Sequence, residues 1–234
     1  MRGISFSTSP AAKRAGYART MLVLWSVTAV ALEALRLHGL GPSDVGLRPP
    51  RHGYDIAAAL AAIGILLAAT GAMRGSVPKA YARRLSPLVP GSRGDWIWFV
   101  PLAASAGICE EFLYRGYLLS QVAQLTGSVA AGVVIATAAF GLAHAYQGRL
   151  GMMGTSLSGL LYCIIYLWSG SLVPCMIAHF AHDLTGAGLL ARRLRAQSPV
   201  EPPDGGPQPN DLGRGRLGAT QENDRKSESE FGGP

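Results

Sequence analysis

Two adjacent carboxylates, Glu110 and Glu111, stand in an otherwise apolar run from Gly107 to Leu119, and Arg115 follows four residues after the second. His144 lies in a later apolar stretch, and His179, His182 and Asp183 in a last one. At about 100° per residue, Glu111 and Arg115 share one helical face, in the acid-before-base order that favours pairing. Glu110 points to a neighbouring face and has no local partner. His179 and Asp183 are also four residues apart and share a face. In lipid, each such charge is costly unless it is paired or faces a cavity. A carboxylate, two imidazoles and a further acceptor in a partly dry cavity are the inventory for activating water. A Glu can act as general base, a neutral His can share that role, and other groups can steady an oxyanion. No His-Glu-x-x-His run is present, so the usual zinc-protease helix is absent.

Plainer readings exist for each residue. Glu111 with Arg115 reads as a structural ion pair that fixes helix packing. Phe140 reads as packing rather than substrate contact, Tyr114 and Tyr117 as packing or interfacial, and His182 as a hydrogen-bonding residue between helices. Two acids with one base leave Glu110 over, and that points to chemistry there. Polar groups on separate spans are expected to converge on the bundle interior, because the lipid face cannot satisfy them.

The elements that must position these groups are membrane helices. Hydrophobic residues make up 49% of the chain and charged ones 15%, against roughly 25% charged in a soluble domain. Lys and Arg outnumber Asp and Glu by 21 to 14, a formal +7. The excess lies in loops and tails that flank apolar runs, so it reads as topology and contact with anionic headgroups of the lipid bilayer. No aromatic-basic stripe suggests base stacking, so no nucleic-acid partner is expected. Cys109, Cys163 and Cys175 all lie in apolar runs without a Cys-x-x-Cys spacing and read as small buried hydrophobes.

Residues 1–19 are polar and basic. The run from Thr20 to about Leu40 reads as an uncleaved first helix, longer than a signal-peptide core and followed by further spans. Glu33 and Arg36 near its end read as an interfacial pair. A second span runs from Tyr54 to Met73, and the loop over 74–95, with Lys79, Arg83, Arg84 and Arg93, is the most basic internal one. A third helix is expected from Trp96 through both acids to about Leu125. At over about 40 Å it must tilt, bend or protrude. Further spans follow at about Ser128–Tyr146, Leu150–Trp168 and Leu172–Leu190, the fifth with Gly151, Gly154, Ser158 and Gly159 for close helix contact.

The predicted fold is all-α: a polytopic membrane helix bundle of about six transmembrane helices with a disordered C-terminal tail. Its expected parts are a basic cytoplasmic N-terminus over 1–19, two helices and a basic loop over 20–95, a four-helix catalytic core over 96–192, and a disordered polar tail over 193–234. Basic segments at the N-terminus, the second loop and the C-terminal flank place both termini inside a cell membrane. Arg48 and Arg51 in the first outer loop run against that rule.

The three motifs, in this order, resemble the CAAX protease and bacteriocin-processing (CPBP, or Abi) family. Its members are glutamate-type intramembrane endopeptidases and include the eukaryotic Ras-converting enzyme. The resemblance rests on Glu110-Glu111-x-x-x-Arg115, on Phe140 with His144, and on His179 with Asp183, and it spans about Trp96 to Leu190. It implies that Glu110 and His144 activate the attacking water and that His179 and residue 183 bind the oxyanion. Glu111 and Arg115 would hold the helix in place. Position 183 departs from the eukaryotic enzymes, which carry Asn where this chain has Asp183. An ionised Asp cannot donate to an oxyanion, so Asp183 either carries a proton or orients His179 instead. The resemblance implies no cofactor and no metal.

The leading expectation is therefore a multi-pass membrane endopeptidase acting on a membrane-associated peptide or protein, such as a leader peptide or sorting tail. The Ala/Gly/Arg-rich composition suggests a bacterial cytoplasmic membrane, which argues against prenylated substrates. A second version places a divalent metal on Glu110, His144 and His179. A third is a non-catalytic immunity or scaffolding protein of the same family. A proton-relay transporter is weakened by the lack of an internal repeat.

Overall fold

The computed structural model describes residues 9–72 and 79–197. Every regular element among them is helical. Helix α1 (Pro10–Leu37) starts with Pro10 in its first turn and the Ser9 hydroxyl accepting from Ala12 N at 3.2 Å, which satisfies one of the donors a helix start leaves open. Helix α2 spans Asp55–Ala72 and α3 spans Lys79–Leu85. Helix α4 (Arg93–Glu111) opens with a capping box in which the Ser92 and Asp95 side chains each bond the other's backbone N–H.

Directly after Glu111 the chain changes winding. Phe112–Leu119 is π-helical, and α5 (Ser120–Thr126) follows without a break, so Arg93–Thr126 forms one 34-residue rod. A uniform α-helix was the simplest expectation for this stretch. The i→i+5 winding turns Phe112, Arg115, Gly116 and Leu119 to the interior behind Glu111, where Arg115 finds its partners. Helix α6 (Val129–Ala143) and a 3₁₀ turn (Ala145–Gln147) lead to α7 (Gly148–Ser169) and α8 (Val173–Gln197).

A helix stands at each of the six stretches where a span is expected, but among the described residues three are long and apolar enough to cross a membrane. They are Pro10–Leu37, Arg93–Thr126 and Ala145–Ser169. Helix α6 has 15 residues, about 22 Å against a hydrocarbon core of roughly 30 Å. The helices α1, α2, α4, α6 and α7 expose aliphatic side chains such as Val30, Ile65, Ile97, Val134 and Leu157, the outward face a lipid environment accepts. Helix α8 differs: none of its large apolar side chains among the described residues is exposed. Those side chains are buried or half-buried, and His179 among its polar ones is buried.

The bundle is tied at both ends. At one end Lys13 Nζ donates to Val89 O (2.8 Å), Tyr17 OH to Leu88 O (2.8 Å), and Arg195 Nη2 to Gly91 O (3.2 Å), while Arg14 pairs with Asp95 at 3.2 Å. At the other, Arg48 Nε donates to Gly170 O (2.8 Å) and Arg51 N to Ser169 O (3.2 Å). The arginines that run against the charge rule therefore sit at the C-terminal end of α7, where carbonyls lack helical partners. Helix α8 continues past Arg192 and Arg193 to Gln197. Residues 1–8, 73–78 and 198–234, and with them most of the expected tail, lie outside the described residues.

Candidate active site

Helices α4 and α8 touch backbone to backbone at Gly107. A Cβ there would lie 2.9 Å from Met176 O and 3.2 Å from Phe180 N, so only glycine permits the approach. One turn beyond it, Glu110 and Glu111 meet His179. The His179 ring is held by Glu111, whose Oε1 accepts from Nδ1 at 2.7 Å. The same oxygen accepts from Arg115 Nη1 at 2.9 Å, and Arg115 Nη2 donates to Gly159 O on α7, also at 2.9 Å. Gly159 is needed for that reach, since a Cβ would stand 3.0 Å from Arg115 Nη2. The guanidinium carbon lies 4.4 Å from the centre of the Phe140 ring and 5.2 Å from that of Tyr162, a desolvated cation–π sandwich. Glu111 and Arg115 are fully buried and Phe140 nearly so.

Glu110 points the other way. Its Oε2 has no hydrogen-bond partner, yet it lies 3.8 Å from His179 Nε2 and 4.0 Å from His144 Nε2. Asp183 Oδ2 is 3.7 Å from the same His179 nitrogen. His144 reaches this point because α6 stops at Ala143, which makes His144 its C-cap. There His144 Nδ1 donates to the Phe140 carbonyl at 2.8 Å. A carbonyl only accepts, so Nδ1 carries the proton, and Nε2 of the neutral ring is a lone pair turned to Glu110.

These groups form one wall of an open cavity of about 990 Å³ lined by Glu110, His144, His179, His182 and Asp183. Apolar side chains such as Leu24, Leu102, Leu157 and Leu190 also line it, as do the basic Lys13, Arg192 and Arg193. All four residues expected to react therefore converge, while Glu111 and Arg115 lie behind them in the packed interior. Among the described residues, no three His, Cys, Asp or Glu side chains are grouped as a metal site.

The sequence reading missed Tyr162 on α7. It is fully buried, its ring lies nearly parallel to that of His179 (15°, centroids 5.1 Å apart), and its hydroxyl is 2.9 Å from His182 Nδ1. A tyrosine in the middle of an apolar span was the available signal, because a buried phenol must find a polar partner. Phe140 is packing, as its type suggests, but packing with a role in the site: it meets the rings of His144 and His179 and lies under Arg115.

The structure is thus an all-helical bundle with membrane-length helices and a carboxylate–histidine cluster at an open cavity. The comparison with known families is more specific. Residues 92–185 match the family described as type II CAAX prenyl endopeptidase Rce1-like. Over that region, which carries all of the site residues, the chain is similar to the CAAX-type membrane proteases. No curated protein and no solved structure matches the chain.

Proposed function

We propose that this protein is a glutamic-type intramembrane endopeptidase that hydrolyses a peptide bond of a membrane-associated substrate drawn into the cavity. The observation that carries this reading is Glu110 Oε2, buried without a hydrogen-bond partner within 4.0 Å of two imidazole nitrogens on a cavity wall. A buried carboxylate oxygen left unpaired is expensive. The separations exceed a direct hydrogen bond but suit one water oxygen bonded to both Glu110 and His144.

In the proposed reaction Glu110, with the His144 Nε2 lone pair beside it, takes a proton from that water. The oxygen attacks the scissile carbonyl carbon and forms a tetrahedral oxyanion. The carbon–nitrogen bond then breaks, and the proton held by the Glu110–His144 pair passes to the leaving amine. His179 is held at the reacting centre by Glu111, and Asp183 lies beside its Nε2 (3.7 Å) as an orienting group. The apolar lining suits a hydrophobic segment, and membrane-associated leader peptides or sorting tails are the substrate class. The termini, the basic loop and the cavity's basic residues would lie on the cytoplasmic side of a cell membrane.

The test compares peptide termini in membranes by mass spectrometry. The strains are a deletion complemented with wild type or with Glu110→Gln at matched levels. The expected result is a precursor that accumulates in both the deletion and the Gln strain and disappears with wild type. A Gln variant that restores the wild-type termini removes Glu110 from the chemistry. If no terminus changes in any strain, the peptidase reading falls and a non-catalytic immunity or scaffolding role takes its place. Wild-type cleavage abolished by a chelator and restored by zinc would replace the glutamate–histidine scheme with a metal-assisted one.

A further inference from the structure

Two of the three imidazoles at the cavity are tied through Nδ1. In neutral His144 this leaves a lone pair at Nε2, while His179 Nε2 is engaged by the Glu110 and Asp183 carboxylates, 3.8 and 3.7 Å away. His144 Nδ1 donates to the Phe140 carbonyl and His179 Nδ1 to the Glu111 carboxylate. Glu110 and Asp183, when ionised, only accept. A tetrahedral intermediate needs hydrogen-bond donors aimed at its oxyanion.

The third imidazole is tied the opposite way. Tyr162 OH lies 2.9 Å from His182 Nδ1, and Tyr162 is fully buried with no other hydrogen-bond partner for its hydroxyl among the described residues. A buried phenol without an acceptor for its proton is strongly disfavoured. The phenol therefore donates, His182 Nδ1 accepts, and the imidazole proton sits on Nε2. His182 lines the same cavity as Glu110, one residue from Asp183 and one helical turn from His179.

We propose that His182 Nε2–H is an oxyanion donor of this site and that Tyr162 is the positioning residue that holds that tautomer. The inference rests on the peptidase reading. His182 would supply from one residue earlier the hydrogen bond that an ionised Asp183 cannot. No proton leaves Nε2 in this role; it is shared with the carbonyl oxygen as negative charge gathers there. Because the Tyr162 ring stacks on His179, Tyr162→Phe keeps the stack and removes only the hydroxyl.

Two measurements on the purified full chain test it. In the first, the chain is labelled with ¹⁵N-histidine in detergent micelles, and the His182 signals are assigned by their loss in His182→Gln. Wild type should show a protonated Nε2 and a bare, hydrogen-bonded Nδ1, and Tyr162→Phe should show a mixture of tautomers. A wild-type His182 with its proton on Nδ1 overturns the proposal. The second follows cleavage of the precursor that accumulates in the Glu110→Gln strain, made as a synthetic peptide. His182→Ala should lower kcat about 10²–10³-fold with KM little changed. His182→Gln, whose carboxamide can donate from a similar place, should recover most of that loss, and Tyr162→Phe should show a several-fold fall in kcat. An unchanged kcat in His182→Ala, or a Gln variant no better than Ala, overturns the oxyanion role while leaving the peptidase standing. A wild-type chain that cleaves no precursor overturns both.

Discussion

Glu110 and Glu111 are consecutive residues on the last turn of α4, about 100° apart around its axis, and their carboxylates meet different company. Glu111 is fully buried; one oxygen accepts from both Arg115 and His179, and the other has no hydrogen-bond partner. Glu110 keeps 15% of its side chain exposed, faces the cavity, and has one oxygen within 4.0 Å of two imidazole nitrogens without a hydrogen bond to either. A buried charge paired with a cation and shut away from the cavity can hold helices together. One at an opening, beside imidazoles it does not bond, is accessible to a molecule in the cavity. The two sides are joined by His179, whose Nδ1 is held by Glu111 and whose Nε2 faces Glu110.

The widest separation between the two sides is expected at Arg115. Arg115→Ala leaves Glu111 buried without its cation and should cost about 3–5 kcal/mol, read as a lower unfolding midpoint in micelles. If stability falls by less than about 1 kcal/mol, the structural assignment of the Glu111 side is wrong. Glu110→Gln should do the reverse: the unfolding midpoint stays put while the cleavage rate drops about 10²–10⁴-fold.

Gly107→Val presses a side chain into the Met176 and Phe180 backbone and so should disturb both sides together. Overpacking of this kind costs about 1–3 kcal/mol, and parting α4 from α8 should also lower the cleavage rate. A variant that loses stability but keeps full activity would show that the Glu110–His179 distance does not matter. Smallest is Arg14→Ala, which removes a 38%-exposed arginine and leaves the buried Asp95 its backbone donors Gly91 N and Ser92 N. It should change stability by about 0–1 kcal/mol, and a larger shift would mean that burial is not what separates the strong ion pair from the weak one.

Much of this could be read along the chain. Glu111 and Arg115 are four apart, so helical periodicity alone predicts their pairing, and the structure has it at 2.9 Å. Apolar stretches separated by basic or glycine-rich loops mark where the long helices lie. Other features were out of reach for a physical reason. The π-helical turn at Phe112–Leu119 reflects what its neighbours require, not a local propensity. The stop of α6 that turns His144 into a C-cap depends on the 3₁₀ turn and α7 packing behind it. Tyr162 looked like one more apolar-span residue until α8 brought His182 to its hydroxyl.

The amino-acid sequence by itself determined that this is a helical membrane protein and which residue types are available for catalysis. Both follow from composition and from spacings within single helices, which are short-range properties. Only the tertiary structure decided which acid is structural and which faces the cavity, and which nitrogen of each histidine is free. Those outcomes depend on partners 44 and 68 residues away, brought within hydrogen-bonding distance by close helix contacts at Gly107 and Gly159.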